Sequence, residues 1–287
     1  MTPTIGCVLL TMGDRPAEVQ RAVDSVRDQV DPPLDVVVVV NADPGAAHGL
    51  EVAGARVVHA GANIGIPAGR NLGLAEVAGD LVFFLDDDAW LTGPDVLAAV
   101  VERFMAEPDL AVLSLRVVDE HGNTQRRHVP RLRVGDPSRS SEVTTFLGGA
   151  SVVRRTPFQE VGGLPEEFFY SHEETSLGWR LVAAGWRLRY DGALTVGHPR
   201  TVPGRHAMAR RLSARNRVLL ARRHLPWPLA VLYPLLWGLL TLVRDPGGAV
   251  PLLRGTFEGL RMAGVPREPI PWRAVWRLTR RGRPPLL

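Results

Sequence analysis

The feature that most constrains the fold is a series of short segments that are apolar almost throughout, separated by segments with helical spacing. Ile5–Leu10, Asp35–Val40 and Leu81–Leu85 are each predicted to be a buried strand. Between the first two, residues 19–30 repeat apolar side chains every three or four positions. Strands that are apolar on both faces and alternate with helices are typical of a mainly parallel sheet covered by helices. The sequence therefore predicts a Rossmann-like α/β fold, in which ligands bind at the carboxyl ends of the strands.

Polar residues follow three of these strands. They are Thr11–Asp14, Asn41–Asp43 and Asp86–Asp88. Three adjacent carboxylates repel one another and raise each other's pKa, so a nearby cation would help to keep them ionised. Oxygen ligands select Mg²⁺ or Mn²⁺, which take their remaining ligands from a diphosphate. The aspartates thus indicate a divalent-metal site; the alternative is an acidic loop that caps the helix beginning near Pro94.

A second group of chemically useful side chains lies in the last third of the predicted α/β region. Glu173 and Glu174 open a predicted helix that ends at Gly185. Taken alone, two acids in a first turn are best explained by the helix dipole, although one of them could act as a general base. His198 follows the run Leu194–Gly197, where it is either an ordinary surface or core residue or a neutral imidazole ligand to a metal.

Charge is distributed unevenly along the chain. Residues 1–199 hold 17 arginines and 27 acids, a net charge of −10, whereas residues 200–287 hold 17 arginines and 3 acids, a net charge of +14. The uncharged stretch Leu225–Val243 has the minimum length of a membrane span, but its three prolines argue against a straight spanning helix. We expect an α/β domain over residues 1–200 and a basic, apolar helical tail over residues 201–287.

The tail is expected to lie on an anionic membrane surface, because arginines beside apolar residues and tryptophans suit a bilayer interface. Alternatively, it forms a helical cap on the domain or a homodimer interface. Its apolar middle and the lack of a recognition motif argue against nucleic acid.

The single cysteine excludes a disulfide scaffold, and the first ten residues are unlike a signal peptide. We therefore expect a cytoplasmic protein, peripheral at the inner face of the cell membrane.

Six segments, taken in order, resemble glycosyltransferase family 2, whose members have the GT-A fold. They are IGCVLLTMGDR, VVVVVNADP, NIGIPAGRNLGL, LVFFLDDDAW, LGGASVVRRTPFQEVGGLPEEFF and HEETSLGWRLVAAGWRLRY. The resemblance implies that one sugar is moved, with inversion, from a nucleotide-diphosphate sugar to the hydroxyl of a glycan, lipid-linked or small-molecule acceptor. It implies nucleotide-sugar contacts from Thr11, Asn41, Arg70, Asp87, Gly148 and Gly149, a Mn²⁺ or Mg²⁺ site at Asp86, Asp88 and His198, and a general base at Glu174.

The sequence departs from the family pattern at three positions. Asn41 replaces the usual aspartate that reads the base, which leaves UDP-, dTDP- and GDP-sugars open. Glu174 and Ser176 also stand where aspartates are frequent. The QxxRW pattern of processive synthases is absent, so we expect transfer of a single sugar.

Two other functions are less consistent with this sequence. A sugar nucleotidyltransferase would need a glycine-rich basic loop after the first strand, where TMGDRP has one glycine. A catalytically weak nucleotide-sugar-binding module would explain Asn41 and Ser176, but the intact aspartates and Glu174 argue against it. The absence of G-x-G-x-x-G after the first strand excludes a Rossmann dehydrogenase.

Overall fold

A computed structural model describes residues 2–45, 49–132, 135–200 and 208–286. The strands in these residues are β1 (Ile5–Thr11), β2 (Asp35–Val40), β3 (Arg56–His59), β4 (Leu81–Asp86), β5 (Trp90–Leu91), β6 (Leu110–Val118), β7 (Ser141–Glu142), β8 (Ala150–Arg154) and β9 (Arg187–Gly197). The helices are α1 (Pro16–Arg27), α2 (Ile66–Glu76), α3 (Val96–Ala106), α4 (Arg155–Glu160), α5 (Glu173–Ala184), α6 (Ala209–His224), α7 (Trp227–Arg244), α8 (Ala249–Arg261) and α9 (Trp272–Arg280).

One sheet contains all of these strands, in the order β3-β2-β1-β4-β8-β6-β9-β5, with β7 paired to β9. The pairs β1–β2, β1–β4, β2–β3 and β6–β9 are parallel, which confirms the predicted α/β class. Strand β8 is inserted antiparallel between β4 and β6. Because β8 is reversed, its amino end lies at the edge where β4 and β6 end, and the Gly149 carbonyl accepts a hydrogen bond from the Asp86 amide at 3.1 Å.

The strands are apolar throughout because both faces of the sheet are covered. In β2, Val37 and Val39 belong to one buried cluster, while Val36 and Val38 belong to the cluster on the opposite face. This alternation follows from the two-residue period of a strand. It explains why the sequence showed continuous apolar runs instead of alternating polar and apolar positions.

The tail packs against the α/β domain instead of projecting from it. Ile270, Ala274 and Leu278, in and beside α9, join the same buried cluster as the strand residues Val8 and Val112. Helix α6 is the first described helix of the tail expected over residues 201–287, of which residues 201–207 lie outside the described part of the chain. Because the tail shares this buried cluster, substitutions of its buried residues can alter the packing of the α/β domain.

Helix α7 continues as one element through the proline-containing stretch. Pro226 precedes it, Pro228 lies in the first turn, where a missing N–H is tolerated, and Pro234 lies inside. The prolines therefore do not divide it. Among the described residues, α7 is the one helix whose length and composition would allow it to cross a membrane.

Candidate active site

A cleft of about 320 Å³ lies at the carboxyl edge of the sheet. Its lining includes six of the residues singled out from the sequence: Arg70, Asp86, Gly148, Gly149, Glu174 and His198. They come from α2, the end of β4, the start of β8, the start of α5 and the end of β9. The sheet topology brings them together, because the reversed β8 presents its amino end where the parallel strands present their carboxyl ends.

The four other predicted residues do not line this cleft, and they lie at the ends of β1, β2 and β4. They are Thr11, Asn41, Asp87 and Asp88, and all four are buried. The structure therefore places the predicted nucleotide-sugar and metal residues in one continuous region, with Asp86 between the open cleft and the buried positions.

The three aspartates differ in exposure and in partners. The Asp86 side chain is 43% exposed, whereas those of Asp87 and Asp88 are 6% and 10% exposed. Arg15, which sequence reasoning did not assign to the site, binds Asp87 Oδ1 at 2.6 Å and Asp88 Oδ2 at 2.5 Å. On the other side, His198 Nε2 lies 3.1 Å from Asp88 Oδ1 and 3.9 Å from Asp86 Oδ2.

These partners alter the expectation that the aspartates raise one another's pKa. Burial raises the pKa of Asp87 to about 6, although Thr11 and Arg15 act in the opposite direction. Burial acts in the same way on Asp88, but the hydrogen bond and charge of His198, together with Arg15, outweigh it and lower the pKa to about 2. The expected rise in pKa was therefore wrong for Asp88, because Arg15 and His198 both contact its carboxylate.

The predicted metal ligands are Asp86, Asp88 and His198, and their chemistry decides whether a divalent ion can bind between them. No group of three or more His, Cys, Asp or Glu residues encloses a metal site among the residues that the structure describes. The His198 imidazole nevertheless lies 3.1 Å from Asp88 Oδ1 and 3.9 Å from Asp86 Oδ2, and Asp86 lines the cleft. Carboxylate and imidazole donors of this kind fit an ion that takes most of its ligands from a diphosphate.

Arg70 connects the aspartates to the start of α5. Its side chain is 8% exposed, and its two terminal nitrogens lie 3.3 Å from Asp86 Oδ1 and 3.5 Å from Glu174 Oε1. A Cβ added to Gly148 would lie 2.0 Å from Arg70 Nη1, and one added to Gly149 would lie 1.9 Å from Asp86 Cγ. The two glycines thus leave room for the charged side chains of the site itself.

The two glutamates at the start of α5 occupy different surroundings. Glu173 is 2% exposed, and its Oε2 has no hydrogen-bond partner within the described chain. Burial, and then the charge of Glu174, raise the pKa of Glu173. Burial also raises the pKa of Glu174 against the effect of Arg70. A carboxylate whose pKa is shifted towards neutrality is a more effective proton acceptor at neutral pH.

The loop before α5 is strained and is held by the tail. Within residues 169–172, three non-glycine residues have φ between 59° and 76°, a conformation that side chains disfavour. The Asn216 amide in α6 donates to the carbonyl oxygens of Phe168, Tyr170 and Ser171 at 2.7–2.8 Å. A lone asparagine in a basic helix carries no signal of this role in the sequence.

Asn41 also stabilises a loop of the site through hydrogen bonds to backbone groups, in this case the loop before α2. Its Oδ1 accepts a hydrogen bond from the Ile64 amide at 2.8 Å, and its Nδ2 donates to the Gly65 carbonyl at 3.2 Å. These bonds fix the orientation of the side-chain amide and the loop that leads into α2. The second lone pair of Oδ1 is the acceptor that Asn41 can offer to a ligand.

Solved structures define the fold as GT-A. The chain is similar to a mannosyltransferase from Pyrobaculum calidifontis in complex with GDP-Man and Mn²⁺, with 17% identity, a TM-score of 0.55 and coverage of 98% of this chain and 73% of that one. It is also similar to GalNAc-T7 with UDP, GalNAc and Mn²⁺, with 16% identity, a TM-score of 0.59 and coverage of 77% and 48%.

Residues 7–162 match the model of glycosyl transferase family 2, and the chain belongs to that family. A Mycobacterium tuberculosis pre-mycofactocin glycosyltransferase is 31% identical over 169 residues, and the match covers 54% of this chain and 34% of the relative, about a third of that protein. The N-acetylglucosaminyl-diphospho-decaprenol L-rhamnosyltransferase of the same organism is 27% identical over 284 residues, covering 83% of this chain and 90% of the relative.

Proposed function

We propose that this protein is an inverting glycosyltransferase that moves one sugar from a nucleotide-diphosphate sugar to an acceptor hydroxyl. The observation that carries the proposal is the meeting of Asp86 and Glu174 in one cleft, with Arg70 between them. This arrangement supports a diphosphate bound beside Arg70 and a proton acceptor at Glu174 in a single cavity.

The donor is a UDP-, dTDP- or GDP-sugar whose base and ribose lie near Thr11, Asn41, Arg70 and Asp87. Arg70 is a cation that faces the cleft, and its guanidinium suits a phosphate group. Asp86 and Asp88, with His198, would hold Mn²⁺ or Mg²⁺ beside the diphosphate. When bound, such an ion neutralises charge on the departing nucleotide.

Glu174 takes the proton from the acceptor hydroxyl. The resulting oxygen nucleophile forms a bond to the anomeric carbon on the face opposite the diphosphate, and the bond from that carbon to the diphosphate oxygen breaks. The configuration at the anomeric carbon is inverted, and the nucleoside diphosphate leaves. Arg70, 3.5 Å from Glu174, keeps the carboxylate oriented towards the cleft before the proton moves.

We assign the GT-A domain to residues 1–200 and the helical tail to residues 201–287. The tail carries large exposed apolar side chains on α7 and α8 and 17 arginines, counting Arg200 at its boundary. These features support a peripheral position at the anionic, cytoplasmic face of the cell membrane. The rhamnosyltransferase relative is named for a diphospho-decaprenol acceptor, which favours a lipid-linked acceptor over a glycan or small molecule.

The proposal is tested by incubating the full chain with Mn²⁺ or Mg²⁺ and a panel of nucleotide sugars, with and without acceptors. We expect that one nucleoside diphosphate is released, and that a chelator of the divalent ion abolishes this release. Formation of pyrophosphate would identify a nucleotidyltransferase instead. Donor binding without any release, even with acceptors present, would identify a binding module.

A further inference from the structure

A second cleft, of about 310 Å³, adjoins the candidate active site. The two clefts share Tyr170 and Ser171 in their walls. One wall of the second cleft is α6, from which Arg210, Ser213 and Arg217 line the cavity. These positions are three and four residues apart, the spacing of side chains on one helix face. The sugar transfer described above uses none of these three side chains.

Arg217 is a partly buried cation without a carboxylate partner among the described residues. Burial, together with the charge of Arg283, lowers the pKa of Arg217, while Tyr233, which also hydrogen-bonds the side chain, acts in the opposite direction. The guanidinium lies 4.2 Å from the ring centroid of Trp237, and its Nε has no hydrogen-bond partner in the described part of the chain. Charges withdrawn from water in proteins are normally paired, so this side chain favours an anion in the cleft.

Two further polar residues of α6, Arg210 and Ser213, line the same cleft. Arg210 lies near the mouth, where its side chain is 62% exposed and paired with Asp245 at 2.8 Å. Ser213 Oγ lies 3.0 Å from His172 Nε2, and His172 directly precedes the two glutamates of α5. The second cleft is therefore linked, through Ser213 and His172, to the start of α5 that carries Glu174.

Apolar surface borders the cleft on its outer side. The cleft is lined in part by Thr241 of α7 and Leu252 of α8. Nearby on the same helices, Leu235 and Leu239 are 64% and 61% exposed, and Leu253 is 65% exposed. A molecule with an anionic group in the cleft and an apolar chain over these helices would satisfy both kinds of surface.

We propose that the second cleft binds a phosphate or diphosphate group of the acceptor, through Arg210 and Arg217, while the acceptor hydroxyl reaches Glu174. This inference rests on the proposed function, because it assumes that an acceptor is delivered to the first cleft. It narrows the acceptor to an amphipathic molecule that carries a phosphate ester.

The test measures the binding of farnesyl diphosphate to the full chain by calorimetry, without divalent ions. We expect Arg217→Gln and Arg210→Gln each to weaken binding at least ten-fold. The matched control, Arg211→Gln, removes the same charge from α6 at a side chain that pairs with Glu258, and should change binding less than two-fold. Unchanged affinity in the Arg210 and Arg217 variants would overturn the proposal. Since Arg210 is largely exposed, its variant keeps the test valid if Arg217→Gln fails to fold.

Two further measurements distinguish the acceptor site from a lipid-headgroup site and from a donor site. If the same variants stop sedimenting with phosphatidylglycerol vesicles but keep their affinity for farnesyl diphosphate, the cleft is a lipid-headgroup site and the proposal is wrong. Slow nucleoside diphosphate release from donor and water, without acceptor, tests the proposed function by itself. Loss of that release in Arg217→Gln would place Arg217 in the donor site and contradict the proposal.

Discussion

At the scale of single residues, the adjacent glutamates Glu173 and Glu174 differ in their surroundings and in their expected roles. Both line the cleft, but the Glu174 side chain is 20% exposed and lies 3.5 Å from Arg70, whereas Glu173 is 2% exposed. We predict that Glu174→Gln lowers kcat by at least about 100-fold, because the amide keeps the shape of the side chain but cannot accept the proton. Donor affinity, measured by titration, should change less than two-fold.

The matched control for this prediction is Glu173→Gln. Burial raises the pKa of Glu173, which makes the neutral amide a close replacement, so we expect its kcat to fall much less than that of Glu174→Gln. Weakened donor binding with an unchanged kcat in Glu174→Gln would exclude Glu174 as the base.

A second residue-scale prediction concerns Gly149. A Cβ at this position would lie 1.9 Å from Asp86 Cγ, so either the carboxylate or the start of β8 must move. Displacement of a positioned group by about 1 Å costs on the order of 100-fold in rate, and we expect Gly149→Ala to lower kcat/KM by about that factor. The control is Gly45→Ala, where a Cβ would meet no atom within 4 Å. Wild-type kcat/KM in Gly149→Ala would contradict the close approach.

At the scale of elements, α6 stabilises the strained loop that leads into α5. Asn216 is fully buried and binds three carbonyl groups of residues 168–171. We predict that Asn216→Ala lowers the free energy of unfolding by at least about 2 kcal/mol, because buried carbonyls lose their donors. It should also lower kcat, since the loop carries the backbone into Glu173 and Glu174. Chemical denaturation and kinetics measure both effects, with the exposed Asn123→Ala as control. Reduced stability with unchanged kcat would show that α6 supports the fold alone.

A second contact between elements predicts a pH dependence. His224 of α6 is fully buried, and its Nε2 lies 2.8 Å from Ser176 Oγ in α5. Burial, reinforced by the charges of Arg180 and Arg223, holds the pKa of His224 well below its usual value. The folded protein therefore keeps this imidazole neutral while the unfolded chain takes up a proton below about pH 6.5, so its contribution to stability decreases as the pH falls.

Replacement of His224 isolates this contribution from opposing carboxylates such as Glu173. Between pH 7.5 and 5.5, one such histidine costs about 1.4 kcal/mol of unfolding free energy, and His224→Gln should lose less stability than the wild type by about that amount. Urea unfolding at the two pH values measures the difference. The exposed His59→Gln should behave as the wild type; equal losses in the wild type and His224→Gln would disprove the assignment.

At the scale of the whole molecule, the tail has one face against the domain and another that is apolar and exposed. Deleting the tail would also remove Ile270, Ala274 and Leu278 from the buried core, so surface substitutions are the cleaner test. We predict that Leu235→Glu with Leu239→Glu reduces sedimentation with phosphatidylglycerol vesicles at least about five-fold, because charge replaces apolar side chains at the bilayer interface.

The control for membrane binding is a pair of exposed apolar residues near the start of the chain, Val30 and Leu34. Val30 and Leu34 are 70% and 63% exposed, similar to the two leucines of α7, which are 64% and 61% exposed. Val30→Glu with Leu34→Glu should therefore leave sedimentation unchanged. If the unaltered chain does not sediment with anionic vesicles, the membrane position is wrong.

Sequence reasoning identified the elements whose burial is visible locally. It placed β2 at its observed bounds and β1 and β4 within one residue, and it found both ends of α5. It did not identify β8, because Ser151 and Arg154 interrupt its apolar residues, so β8 lacks the continuous apolar run that marks the predicted strands. It also missed Arg15 and Asn216 as parts of the site, since a single charged or amide side chain carries no pattern.

The sequence by itself determined the α/β class, the edge of the sheet that carries the aspartates, and the identity of the polar residues near it. Only the tertiary structure decided that β8 runs antiparallel, that Gly149 and His198 meet Asp86, and that α6 holds the loop before Glu174. Local periodicity reports whether a segment is buried and on which faces. The partner of a strand, its direction and the atoms across a cleft depend on contacts between residues far apart in the chain, which no local pattern records.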